Sequence, residues 1–258
     1  MSVAPKKALG QHFLVDENIL GVIGRMSDLR STDVVLEVGP GLGVLTRFLA
    51  DRVRLVHAVE LDRSLEPALS AALGERSNVR LRWADALEVD VDALEPKPSK
   101  LVANLPYNVA TPLVVETLER AASVRRWCVM VQREVADRLF AEPRTKAYGA
   151  VSVLVQLSAR KTGFHAVPPT VFRPPPRVDS ALVGFERLPD ATAISAVRRV
   201  VEAAFAHRRK TAANSIALAG VASRATVEEA LSTLGHSPRA RAEELEPAEF
   251  VRLADALR

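Results

Sequence analysis

Residues 33–38 read Asp-Val-Val-Leu-Glu-Val and run directly into Gly39-Pro40-Gly41-Leu42-Gly43. A short, largely aliphatic run of this kind suits a strand buried on both faces of a sheet. Glycines at alternate positions then allow a turn too tight for side chains, and residues 44–54 resume at helical spacing. This strand, turn and helix rule out an all-helical chain. Further strand-like runs occupy residues 54–60, 79–83, 100–104 and 127–132, with helix-length stretches between them. The alternation predicts an α/β fold, a parallel sheet with helices on both faces. Residues 180–186 read as one more strand after a proline-rich loop. Residues 148–159 suit either a strand or a helix.

The pattern changes after Pro189. Residues 191–207, 212–220, 226–234 and 247–257 read as helices, with Gly220 and Gly235 suited to helix ends. Thr226 and Glu229 suit a capping box, and Pro247 a first helical position. The expected division is an α/β domain over residues 1–188 and a small, all-helical C-terminal domain over residues 189–258.

A single cysteine, Cys128, excludes an internal disulfide and a multi-cysteine zinc site. The residue lies in an apolar run and reads as core. No spacing of His, Cys and acids suggests a catalytic metal. No apolar run approaches the roughly 18 residues of a membrane span. The first residues lack the apolar core of a signal peptide, so a cytoplasmic protein is expected. The net charge is only +4 although the pI is about 9.5. After Pro189, ten Lys/Arg face nine Asp/Glu. An anionic partner would therefore need locally placed cations, not a general basic coat.

The glycine spacing is G-x-G-x-G. It differs from the dinucleotide fingerprint and lacks the Lys-Ser/Thr of a phosphate loop. A nucleoside without a long phosphate chain fits it best. Glu60 ends the next strand, where a carboxylate can accept from both ribose hydroxyls, and Asp85 follows the third strand, where an acceptor can meet an adenine amine. Each alone could be a turn or a solvated acid. Together, after successive strands, they point to S-adenosylmethionine.

The fourth strand ends in Asn104-Leu105-Pro106-Tyr107. The lone pair of an exocyclic base amine is delocalised into its ring, so the nitrogen is a poor nucleophile. The Asn104 side-chain carbonyl and the Leu105 main-chain carbonyl can accept its two N–H bonds, orienting it for attack. Pro106 fixes the turn. Tyr107 offers a face for stacking a base drawn out of its helix.

With these residues the chain resembles the bacterial small-subunit ribosomal RNA adenine dimethyltransferases (the KsgA type). The match rests on Leu9-Gly-Gln-His-Phe-Leu14, residues 37–43, Asn104-Leu105-Pro106-Tyr107 and Val171-Phe-Arg-Pro-Pro-Pro-Arg-Val-Asp-Ser180, and it extends over essentially the whole length. The last motif discriminates most. The family usually shows Asn where this chain has His12. The resemblance implies a Rossmann-like methyltransferase domain followed by a helical RNA-facing one. It also implies S-adenosylmethionine as cofactor, S-adenosylhomocysteine as product, and no metal. Cofactor contacts would involve His12, Leu14, Gly39, Gly41, Glu60, Asp85 and Asn104. Tyr107 and Phe172 would sandwich the flipped adenine. Two methyl groups would go to each of two adjacent adenosines near the 3′ end of 16S rRNA, within an assembling small subunit. The enzyme is expected to be a monomer.

Candidate RNA contacts are Lys6 and Lys7, Arg173 and Arg177 flanking the proline stretch, and Arg208, Arg209 and Lys210. An aromatic with flanking arginines suits a splayed base and its phosphates. The rivals are the related macrolide-resistance methylase of large-subunit RNA, a methylase of protein glutamine, and an assembly factor that keeps the fold without turnover.

Overall fold

A computed structural model describes Lys6 and residues 10–258. In chain order the elements are β1 (Phe13–Leu14), α1 (Glu17–Ser27), β2 (Val34–Val38), α2 (Val44–Ala50), β3 (Leu55–Glu60), α3 (Glu66–Leu73), β4 (Val79–Trp83), β5 (Lys100–Asn104) and α4 (Ala110–Arg120). They continue with β6 (Arg126–Gln132), α5 (Arg133–Leu139), α6 (Ala150–Gln156), β7 (Ala159–Val167), β8 (Phe172–Arg173), β9 (Ser180–Arg187), α7 (Ile194–Phe205), α8 (Ala212–Leu218), α9 (Arg224–Thr233) and α10 (Pro247–Ala256).

Seven strands form one sheet in the order β4-β3-β2-β5-β6-β9-β7. β2 to β6 pair in parallel, and β9 runs antiparallel to β6. Every residue of β2 and β3 is buried, as expected for central strands covered on both faces. Chain order reverses around β2, which lies between β3 and β5. Such a reversal leaves a crevice at the carboxyl ends of the strands.

Two elements depart from the sequence reading, and one left open is resolved. Within residues 148–159, Ala150–Gln156 form helix α6, and β7 begins at Ala159. β7, Ala-Arg-Lys-Thr-Gly-Phe-His-Ala-Val, was not anticipated. It is one of the two edge strands and is exposed over most of its length, so burial imposes no apolar pattern on it. Lysine and arginine at such an edge discourage pairing with other chains. The two-residue ladder between β1 and β8 was also not anticipated. It pairs Phe13 with Arg173 and Leu14 with Phe172.

The chain divides into two compact units, and the division differs from a boundary at residue 188. One comprises Met1–Ala136 and Lys161–Arg187, the other Asp137–Arg160 and Leu188–Arg258. The segment around α6 joins the tail through aromatic packing. Tyr148 meets Phe205 edge-on at 5.8 Å, and Phe205 lies 5.7 Å from Phe250. The Tyr148 hydroxyl donates to the Leu245 carbonyl at 2.8 Å. Within this helical unit, Gly220 and Gly235 adopt positive φ of 68° and 84° at helix ends. α9 is capped by Ser223, which accepts from the Thr226 amide, so Thr226 lies inside the helix and is not its cap. Among the described residues no helix is long and apolar enough to cross a membrane.

Candidate active site

The carboxyl ends of β2, β3 and β5, with the loop after β4, meet in one cleft. It is lined by residues that include Leu14, Gly39, Gly41, Glu60, Asp85, Asn104 and Tyr107. The glycine turn forms its floor. Gly39, Gly41 and Gly43 have φ of 72°, 57° and 78°, conformations that L side chains rarely adopt. Space is closed as well. A Cβ on Gly41 would lie 2.9 Å from Phe13 Cδ1, and one on Gly39 would lie 3.4 Å from the Pro106 ring. The turn therefore carries β1 above it on one side and the loop after β5 on the other.

Glu60 is almost fully buried and accepts two amides, from Gly41 at 3.1 Å and from Asp62 at 2.9 Å. Burial raises its pKa, and those amides oppose the rise. Asp85 accepts from the Leu87 amide at 2.9 Å, which fixes the carboxylate at the cleft wall. The Leu105 amide donates to the Met130 carbonyl at 3.0 Å, tying the Asn104–Tyr107 loop to β6. The Asn104 amide nitrogen donates to the His12 main-chain carbonyl at 3.0 Å, leaving Oδ1 as its acceptor. The Tyr107 hydroxyl and the Ser180 hydroxyl share a 2.6 Å hydrogen bond.

One cleft residue was missed in the sequence. Glu37 is buried, lines the cleft, and has a carboxylate oxygen, Oε2, without a partner. Burial pushes its pKa up to about 8. An orphaned buried acceptor at a cavity wall calls for a donor from a ligand. The residues present thus fit an adenosyl amino acid: Glu60 for ribose hydroxyls, Asp85 for an adenine amine, and Glu37 for an ammonium group. The one available signal was an acid inside an otherwise aliphatic buried strand.

A family model described as ribosomal RNA adenine dimethylase matches residues 4–258. The chain belongs to that family. It is 52% identical to a ribosomal RNA small subunit methyltransferase A of Rubrobacter xylanophilus, covering 96% of this chain and 94% of the relative. It is 47% identical to the protein of that name from Kineococcus radiotolerans, covering 98% and 86%. Among solved structures, a dimethyladenosine transferase from Plasmodium falciparum aligns with a TM-score of 0.76 at 22% identity, over 94% of this chain and 96% of that one. The 23S rRNA methyltransferase ErmE aligns with a TM-score of 0.67 at 30% identity, over 95% and 99%.

In this dimethylase-family chain, the expected pairing of Phe172 with Tyr107 around a base needs correction. Phe172 is 1% exposed, belongs to the apolar core with Leu14, Ile23 and Val171, and does not line the cleft. Its ladder partner is Leu14, so it anchors β1 from below. Lys6 also has a different neighbourhood from the one expected of an RNA contact. Its ammonium pairs with Asp62 at 2.6 Å, and the Gln11 side-chain amide donates to the same carboxylate at 2.9 Å. Burial would raise the Asp62 pKa, but the bonds from Lys6, Ser64 and Gln11 outweigh it and hold the acid well below its usual range. Lys7, Leu9 and Pro5 lie outside the described residues. Arg173 and Arg177 are exposed on the proline-rich segment. Arg126 is held by Asp28 and Glu186. Cys128 is buried in β6 as expected, and burial lifts its thiol to about 11.

In the helical unit, Arg208, Arg209 and Lys210 are exposed in the turn between α7 and α8. Folding brings more cations beside them. Arg208 donates to the Lys146 carbonyl at 2.8 Å, and the Ala212 amide to the Ala240 carbonyl at 2.9 Å. The Arg144 amide donates to the Glu243 carbonyl at 2.7 Å. These bonds bring two further stretches, with the exposed side chains of Arg144 and Lys146 and of Arg239 and Arg241, beside Arg208–Lys210. Sequence reading missed them because neither stretch forms a basic run along the chain.

Proposed function

We propose that this protein dimethylates the N6 amines of two adjacent adenosines near the 3′ end of 16S rRNA, using S-adenosylmethionine, during assembly of the small ribosomal subunit. The observation that carries the reading is Asn104, whose amide nitrogen is spent on His12 and whose Oδ1 is left as an acceptor beside Tyr107.

S-Adenosylmethionine supplies an electrophilic methyl group when bound. Glu60, Asp85 and Glu37 would hold it at the carboxyl edge of the sheet, with the glycine turn against it. Tyr107 stacks the target base. Asn104 Oδ1 and the Leu105 carbonyl accept the two N–H bonds of the base amine, point its nitrogen, and stabilise the positive charge that grows there. The methylated ammonium is strongly acidic and releases its proton to water, so no side chain need act as a strong base. The first product still carries one N–H, which either carbonyl can accept for the second transfer. The cations around Arg208–Lys210, with Arg173 and Arg177, would hold phosphates of the folded rRNA.

The 52% identity to a small-subunit enzyme, against 30% to ErmE, favours the small-subunit substrate. A monomer acting on a cytoplasmic ribosomal substrate completes the reading. The test uses labelled S-adenosylmethionine with undermethylated small subunits, large-subunit RNA, or a release-factor protein. Label should appear as dimethyladenosine in the small subunit alone. Label in the other substrates would overturn the assignment, and none anywhere would point to an assembly factor. Sedimentation with mature and immature subunits tests the choice of particle, and sedimentation of the free enzyme tests the monomer.

A further inference from the structure

We propose that His12 is a positioning residue that backs one face of Tyr107, so that the target base can stack only on the opposite face. The inference rests on the reading of Tyr107 as the stacking plate and gives His12, which also lines the cofactor cleft, a second role toward that ring.

The His12 ring centroid lies 5.3 Å from that of Tyr107, with the planes inclined at 30°. A base inserted between two plates needs a gap of about 7 Å, twice the ~3.5 Å contact distance of carbon atoms. That face of Tyr107 is therefore taken. The histidine ring is itself fixed, because Nδ1 lies 2.8 Å from the Pro174 carbonyl. A carbonyl can only accept, so Nδ1 carries the proton and donates. At the far edge of Tyr107 the hydroxyl is held by Ser180 at 2.6 Å. The plate is thus clamped on one face and at its tip, by residues from two distant segments.

The main chain of His12 acts on the other half of the site, since its carbonyl receives the Asn104 amide. One residue therefore sets both the acceptor that aims the amine and the plate that carries the base. A ring held before binding loses less freedom on stacking than one free on a loop. An asparagine at this position could still reach Pro174, but it has no aromatic face with which to back Tyr107.

The chain has only two tyrosines, Tyr107 and Tyr148. Ring-labelled tyrosine therefore gives two resolvable sets of NMR signals. Tyr148 is 1% exposed in the helical unit and reports whether the fold is intact. In His12→Ala the Tyr107 signals should shift, and its ring should flip faster, while Tyr148 stays in place. Turnover should fall about ten- to a hundredfold, as for a misplaced reacting group. His12→Phe, which keeps a ring, should restore most of the rate. In a Tyr107→Ala background, His12→Ala should cost nothing further, because its effect passes through that ring. Unmoved Tyr107 signals, or independent losses that multiply in the double variant, would each overturn the proposal. A wild-type chain that methylates no adenosine would instead sink the function reading, while the NMR still reads the clamp.

Discussion

The side-chain amide of Asn104 donates to the main-chain carbonyl of His12 at 3.0 Å, across 92 residues of sequence. An asparagine amide can flip between two orientations, and this bond selects the one that leaves Oδ1 as the acceptor facing a donor ligand. The N-terminal segment thereby sets the polarity of a group at the end of β5.

Replacing Asn104 should separate orientation from binding. Asn104→Ala removes the acceptor and should lower single-turnover methylation by about 10²–10³. Asn104→Asp keeps an oxygen but sets a carboxylate against the His12 carbonyl. It should therefore also be slow, although the new side chain is charged. Near-normal turnover in either variant would remove Asn104 from its role.

Glu60 tests the cofactor cleft. Its two oxygens accept from the Gly41 and Asp62 amides. Glu60→Gln turns one acceptor into a donor that must face an N–H. Charge-assisted bonds contribute about 1.5–3 kcal/mol each, so calorimetry should find the Kd for S-adenosylhomocysteine raised about ten- to a hundredfold. An unchanged Kd would place the nucleoside elsewhere.

Gly41→Ala combines two costs. The left-handed conformation at φ 57° disfavours alanine by roughly 1–2 kcal/mol. The added Cβ would also press on Phe13 at 2.9 Å and lift β1. Denaturant unfolding should show a loss of at least that size, together with weaker cofactor binding. Full affinity in the variant would mean that β1 does not need its present seat.

Glu37 should give the ligand-free enzyme a pH-dependent stability. Its pKa rises on folding from an ordinary 4.5 to about 8. Below about 4.5 both states hold the proton. Between there and about 8 the folded state alone holds it, so stability falls as pH rises, by up to about 1.4 kcal/mol per unit. Urea midpoints measured at pH 6, 7 and 8 should fall more steeply for the wild type than for Glu37→Gln. Parallel trends would show that Glu37 is ionised in the fold.

The basic cluster of the helical unit should contribute through charge. Arg239→Ala and Arg241→Ala should each weaken binding to small-subunit RNA. Each lost phosphate contact should also flatten the slope of log K against log salt by about 0.7–0.9. Substitutions that leave the slope unchanged would place the RNA on another face.

Much of this was legible along the chain because it depends on local pattern. Central strands must be aliphatic on both faces, so β2, β3, β5 and β6 could be read directly, and positive φ confines the turn to glycine. Glu60 and Asn104 were found because each ends a strand, and Asp85 because it follows one. β7 was not found, because it is exposed over most of its length and burial imposes no such pattern on it. The grouping of residues 137–160 with the tail was not legible, because it rests on Tyr148 packing against Phe205, which in turn packs on Phe250, partners far away in sequence.

The sequence by itself determined the βα order, the glycine turn and the places of Glu60, Asp85 and Asn104 at strand ends, since these follow from side-chain period, backbone freedom and donor chemistry over a few neighbouring positions. Only the tertiary structure decided what those residues do for one another. The β1–β8 ladder turns Phe172 into core and carries His12 onto Tyr107, Ser180 holds the tyrosine hydroxyl, Lys6 turns to Asp62, and isolated arginines gather beside Arg208. Each of these pairings joins segments tens of residues apart. Their geometry is set by which strands and helices pack together, and that packing is a property of the whole chain.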